Sequence, residues 1–256
     1  MVLADSTARV FTVAGARWIH LLAGITWIGL LYYFNFVQTP AFATFEAGPR
    51  TEAVRKLVPR ALWWFRWGAL LTFLTGVIIL GAQAAEGTSH KTQLVGAYFT
   101  TPAGMTIFAG ALMATLMFLN VWGVIWPNQK ILIANAETVA GGGEADPRVP
   151  VATRTGAIAS RTNTLFSIPV MWFMIGTTHF TGRWDEISHD MSSGAKWAWY
   201  IITLTLVGLV EANALGLLTG RDGPTTKPLN THRDTIVAGF VLWAIFLVVM
   251  IVLFTS

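Results

Sequence analysis

The chain has 256 residues, 54% hydrophobic and 12% charged, with a formal net charge of +4 and no cysteine. Soluble domains carry about 25% charged residues, so half the usual polar cover is missing and an ordinary soluble domain is excluded. The absent cysteine excludes disulfides, thiolate metal sites, iron–sulfur clusters and covalently attached haem c, and loop arginines that orient membrane proteins account for the positive charge without nucleic acid.

A membrane-spanning helix needs about 20 mostly apolar residues. Six segments qualify, near 10–37, 62–85, 99–126, 163–181, 196–219 and 235–255. The first is too long for a signal-peptide core and no A-x-A-like site follows it, so it reads as a retained helix. The connection after it, 39–61, lies between Pro40 and Pro59 and reads as partly helical. The third segment leads into Gln129–Val139, an amphipathic stretch expected to lie on the membrane surface until Gly141, Gly142, Gly143 and Pro147 break it. The fourth is short and contains Pro169, which neighbouring helices can accommodate. The sixth runs from Ile236 to Phe254 without a charge, and the twelve Trp suit membrane–water boundaries. The expected fold is therefore all-α, a polytopic transmembrane bundle of about six helices forming one domain over 1–256.

Lys and Arg fall unevenly between the two sets of connections, eleven against five, with Arg66 left aside as intramembrane. The richer set follows helices one, three and five. The positive-inside rule then puts both termini outside, in the periplasm of a bacterial inner membrane, together with the acidic 183–190 stretch RWDEISHD.

A charge in hydrocarbon costs about 2.5–3.5 kcal/mol on insertion scales, so Arg17, His20, Arg66, His179 and Glu211 each need a reason, with Asn120, Asn163 and Asn213 as uncharged companions. Spacings of three and four place Arg17, His20, Gly24, Trp27 and Leu31 on one stripe of the first helix. Gly24, one turn from His20, offers room for a large flat group, and Gly176 precedes His179 in the same way. Two histidines at similar depth on different helices can hold a b-type haem. The alternative is that each is an interhelical hydrogen-bond donor, His179 at the headgroup level. Glu211 reads either as a buried ion pair with Arg17 or Arg66 or as a proton relay or substrate contact, and Arg66 can instead snorkel. His90, His189 and His232 read as solvated loop residues.

The stretches WIHLLAGITWIGLLYYFNFVQ, ALWWFRWGALLTFLTGVIIL, NVWGVIWPNQK and RTNTLFSIPVMWFMIGTTHF resemble the membrane domain of the bacterial cytochrome-linked urate oxidase (urate hydroxylase) family. The most specific part is Trp18, His20, Gly24, Trp27, Ile28 and Gly29; the second is NTLFSIP followed by His179. The resemblance implies a multispanning protein that oxidises urate or a related purine and passes electrons to the respiratory chain. It implies haem b held by His20 and His179 beside Gly24 and Trp27, with Arg17 meeting a propionate or an anionic substrate and Glu211 moving a proton. Members carry a C-terminal cytochrome c domain. This chain ends at Ser256 directly after its last helix, so a separate cytochrome c or larger membrane complex is the expected electron acceptor.

Two other functions are open to the same sequence. One is a cofactor-free structural or assembly subunit of a respiratory or photosynthetic complex, using the small-residue face Gly208, Ala212 and Gly216. The other is a transporter, against which stand the absence of repeat symmetry and of paired broken helices.

Overall fold

The structure is a computed structural model that describes residues 2–89, 95–179 and 191–255. Among these residues there are helices and no strand. His90, Lys91, Arg183, His189 and the acidic 183–190 stretch lie outside the described residues.

Among the described residues, nine α-helices follow in chain order: α1 Val2–Tyr32, α2 Thr39–Thr44, α3 Ala47–Lys56, α4 Val58–Ser89, α5 Pro102–Leu119, α6 Trp126–Ala140, α7 Val149–His179, α8 Ser193–Ala214 and α9 His232–Phe254. Two π-helical segments, Tyr33–Gln38 and Asn120–Ile125, join α1 to α2 and α5 to α6 without a break. Each sits immediately before a helix with proline in its first turn, Pro40 or Pro127. Proline donates no N–H, and a wider turn absorbs the lost bond: the Thr39 and Trp126 N–H groups reach back five residues, to Phe34 and Val121. The amphipathic stretch expected at Gln129–Val139 is thus a continuation of the third spanning helix.

Among the described residues, five stretches are long and apolar enough to cross a membrane: Val10–Thr44, Ala47–Ala84, Pro102–Ala140, Ser193–Ala214 and His232–Phe254. The fourth expected span, 163–181, is not among them. Its helix, α7, is longer than expected at 31 residues but carries a polar run whose members face inward. Thr162, Asn163, Thr164 and Ser167 are each at most 1% exposed. The least apolar of the long helices is the one shielded by its neighbours. α7 pairs antiparallel with the continuous α5–α6 helix, from Gly156 beside Asn128 of α6 to the Thr177 hydroxyl donating to Ala103 O of α5 at 2.9 Å.

Helix directions alternate. α5 and α8 run parallel, since Trp199 meets Met105 and Glu211 meets Asn120. α7 and α9 also run parallel, through Phe173–Phe246 and Trp172–Trp243. Both chain termini therefore fall at one end of the bundle, and the basic connections gather at the other.

The packing seams are built on glycine, as expected where lipid supplies no hydrophobic drive between helices and close backbone approach must serve instead. A Cβ on Gly68 would lie 3.4 Å from the backbone of Ala23 and Trp27 across the α1–α4 seam. One on Gly110 would lie 2.9 Å from Phe173 Cβ, and one on Gly239 only 2.6 Å from Ile168 Cδ1 and 2.9 Å from the carbonyl of Leu165. That carbonyl is the group that Pro169, four residues on, leaves without its helical donor. The α9 backbone comes close to α7 at this point, which gives the freed oxygen a neighbour. Beside it lies a fully buried aromatic cluster of Phe173, Trp199, Phe246 and Phe254, with the Trp199 indole donating to Met105 O at 2.9 Å.

Exposed Trp side chains mark both ends: Trp63, Trp64 and Trp67 at the start of α4 and Trp197 at the start of α8. At the basic end, Arg55 of α3 bridges Glu137 of α6 at 2.7 Å and its own helix's Glu52. α8 stops five residues earlier than the sequence suggests. Gly216 adopts φ +81° and the Leu217 N–H returns to Ala212 O, a glycine C-cap.

The start of α7 is fixed by Asp146, whose carboxylate accepts from the Arg148 backbone N–H at 2.8 Å and from its guanidinium. That side-chain bond holds the Asp146 carboxyl below its usual range. A depressed folded value means the contribution is present above the ordinary carboxylate pKa and is lost as pH falls through the folded one. Asp146→Ala is expected to speed amide exchange in the first turn of α7 at neutral pH and to make little difference in acid, measured by hydrogen–deuterium exchange.

Candidate functional site

Two polar clusters lie inside the bundle. The first is in the α1–α4 seam. His20 Nδ1 lies 2.9 Å from the backbone carbonyl of Thr72 and 3.2 Å from Thr75 Oγ1. A carbonyl only accepts, so Nδ1 carries the proton and Nε2 is left with its lone pair. Nε2 has no hydrogen-bond partner among the described residues. The ring fits against Gly76, where a Cβ would come within 3.2 Å of His20 Cε1. Gly76→Val is therefore expected to push the imidazole out of its notch, and nitrogen NMR of labelled histidine would show the Nδ1–H form lost.

Gly24 does not open onto free space as its position on the stripe suggests. It faces α4, where a Cβ would touch Thr72 Cγ2 at 3.9 Å. Trp27 is 3% exposed, and its indole N–H has no acceptor among the described residues. Arg17 is exposed and forms no described ion pair. His179 ends α7 with its side chain exposed. By residue count it matches His20: Tyr32 of α1 meets Ser167 of α7 at 2.8 Å, and each histidine lies twelve residues from that contact (32 − 20 and 179 − 167) toward the same end. The hydrogen bonds of His20 nonetheless go to α4, and none joins the two histidines.

The second cluster occupies the bundle centre, where α5, α7 and α8 converge. Asn120, the first residue of the second π-helical segment, donates to Asn163 Oδ1 and to Glu211 Oε2, both at 3.1 Å. Asn163 donates onward to the Met117 carbonyl at 2.9 Å. π-Helical turns recur at functional sites because they redirect a side chain that a regular helix would hold elsewhere. The ion pair, one of the two readings of Glu211, is not formed: neither Arg17 nor Arg66 comes within bonding distance of it among the described residues. Arg66 instead donates to Leu62 O and lies 3.5 Å from the Trp126 ring centroid and 5.4 Å from that of Trp122. Stacking on two indoles offsets part of the desolvation of the guanidinium. Glu211 is thus a carboxyl group held by a neutral amide, an arrangement that can gain or lose a proton without breaking an ion pair.

Thr72, Thr75 and Gly76 were not among the residues expected at the site. Their spacing, a T-x-x-T-G step at three and four residues on an otherwise apolar helix, is the signal that marks them.

His20 satisfies what a haem ligand requires of its protein: one ring nitrogen fixed by a backbone acceptor, which sets tautomer and orientation, and the other free to bind iron. Trp27 adds a buried N–H without an acceptor. His179 is free of competing bonds and carries no comparable anchor among the described residues.

Among known proteins, the urate oxidase N-terminal family matches this chain over residues 91–245, more than half of it. The match takes in Asn120, Asn163, His179 and Glu211 and begins after α4, so the His20 cluster lies outside it. No curated protein and no solved structure matches the chain.

Proposed function

The chain belongs to the urate oxidase N-terminal family, and from that premise we propose that it is a redox protein of the bacterial inner membrane, with both termini periplasmic. It binds haem b at His20 and passes electrons taken from urate or a related purine to a separate cytochrome. The observation that carries this reading is the His20 imidazole, anchored through Nδ1 on the Thr72 carbonyl with Nε2 unengaged. Haem b, when bound, supplies one-electron transfer. His20 would hold the iron from the α1–α4 seam, and His179 would be the candidate for a second ligand. Thr75 limits rotation of the His20 ring. Arg17, exposed one turn from His20 on the same helix, attracts an anionic group, a propionate or the purine itself. Glu211 accepts the proton released when substrate loses an electron, and Asn120 holds the carboxylate in place while it is charged.

The first experiment is a reduced-minus-oxidised visible spectrum of the detergent-purified protein with a pyridine haemochrome assay. A b-type signal near one haem per chain supports the reading. A colourless, folded preparation overturns it.

One observation favours a second reading, a cofactor-free subunit of a larger complex. A Cβ on Gly208 would meet nothing within 4 Å, so the small-residue position on α8 is not used inside this chain. Gly216 does not share that face, because it turns the chain after the helix. Co-purification of a colourless chain with a larger assembly would decide for this reading.

A further inference from the structure

At the basic end of the bundle lies a pocket that the two internal clusters do not reach. It encloses about 400 Å³ between the first turns of α7 and the loop 215–231, and its lining is Pro150, Val151, Arg154, Thr155, Arg221 and Asp222. Arg154 is fixed in place, with Nε donating to Asp222 Oδ1 at 2.9 Å and Nη2 to the Arg221 carbonyl at 2.7 Å. Arg161, seven residues further along the same face of α7, donates to the Leu229 carbonyl at 2.8 Å. Arg221 is half-buried. Its Nε is fully buried and has no hydrogen-bond partner, and no carboxylate lies within ion-pair distance of its guanidinium among the described residues.

Two guanidinium groups, of Arg154 and Arg221, thus line the pocket with a single carboxylate, that of Asp222, whose side chain is 87% exposed. A desolvated cation without a partner is costly. Holding one in place by a tightly folded loop is economical only if an anion completes it. The loop is built for position: Gly216 and Gly220 both have positive φ, and a side chain on Gly223 would run into Thr219. Guanidinium groups match the oxygens of phosphate better than any other side chain, donating two parallel bonds. Pro150 and the 66%-exposed Val151 form an apolar wall on the side where α7 enters the bundle. Basic pockets beside spanning helices at a membrane boundary suit anionic headgroups.

We propose that this pocket binds a phosphate group, held by Arg221 and Arg154 with Thr155 beside them, and that the phosphate belongs to an anionic phospholipid. The site is independent of the haem reading.

The test is thermal unfolding of the full chain in nanodiscs of phosphatidylcholine alone and of phosphatidylcholine mixed with phosphatidylglycerol. Parallel detergent samples hold inorganic phosphate or chloride at equal ionic strength. The expected result is a midpoint several degrees higher with phosphatidylglycerol, and the rise disappears in Arg221→Gln. Val151→Glu serves as the second variant, since it places a negative charge on the exposed wall without touching the loop, and it too should abolish the rise. A rise with inorganic phosphate as large as that with lipid supports the phosphate site and overturns the lipid as its source. No rise from either source, or a rise that survives in both variants, overturns the site.

Discussion

His20→Ala is expected to abolish b-type absorbance completely while the protein still folds. The side chain makes two hydrogen bonds, both to α4, and interhelical hydrogen bonds in membranes contribute about 0.6 kcal/mol on average. Their loss is small beside the glycine-built contacts of the α1–α4 seam, at Gly68 and Ala23 above all. In the proposed site, haem binding would depend on the imidazole itself. Thr75→Val should keep haem at full occupancy, because the Thr72 carbonyl still fixes Nδ1. His179→Ala should retain haem but shift its spectrum to the high-spin form of a single-histidine site. Haemochrome assays and spectra of the three variants form one experiment. Wild-type haem content in His20→Ala would remove His20 from the site, and an unchanged spectrum in His179→Ala would remove His179 alone.

Gly239→Val is expected to be among the most destabilising single changes in the chain, by about 3 kcal/mol. Overpacking a well-filled interior costs roughly 1–3 kcal/mol where side chains can shift. Here one of the two obstructing atoms is the backbone carbonyl of Leu165, 2.9 Å from the position of the new Cβ, and a helix backbone cannot rotate aside. The displacement would also remove the close approach to the oxygen that Pro169 leaves unbonded. Neighbouring Phe173, Trp199 and Phe246 would lose contact as α9 moved away from α7. Gly208→Val is the matched control, since nothing lies within 4 Å of its Cβ position. Equal denaturation midpoints for the two variants would show that the α7–α9 seam is not the tight contact its geometry indicates.

The apolar spans were legible because hydrocarbon imposes one requirement on every residue it touches, and composition reports that directly. α7 was the exception. A helix surrounded by other helices escapes the requirement, so Thr162, Asn163, Thr164 and Ser167 lowered its hydropathy without moving it from the bundle centre. The polar residues of the site were also legible, since rarity inside the spans singles them out. Their partners were not. Gly24 is equally compatible with an open notch and with a neighbouring helix, and only the packing of Thr72 against it decides. Charge suggested Arg17 or Arg66 for Glu211, yet the partner is Asn120, brought round by a π-helical turn that periodicity cannot register. Arg66 found two indoles instead of a carboxylate because Trp122 and Trp126, four residues apart, stand on one side of a helix beside it.

The inward polarity of α7 bears on how the protein is made. A helix enters the bilayer from the translocon on the strength of its own transfer free energy, and α7, with Arg154, Arg161 and its run of hydroxyls and amides, offers the weakest case of any long helix here. Its partner α5 is synthesised first and is strongly apolar, and Asn120 just after it already turns an amide toward the side that α7 will occupy. Delivery as a hairpin, with the turn over 141–148 as the hinge and α5 as the chaperone of its own successor, lets α7 reach the interior without meeting lipid alone.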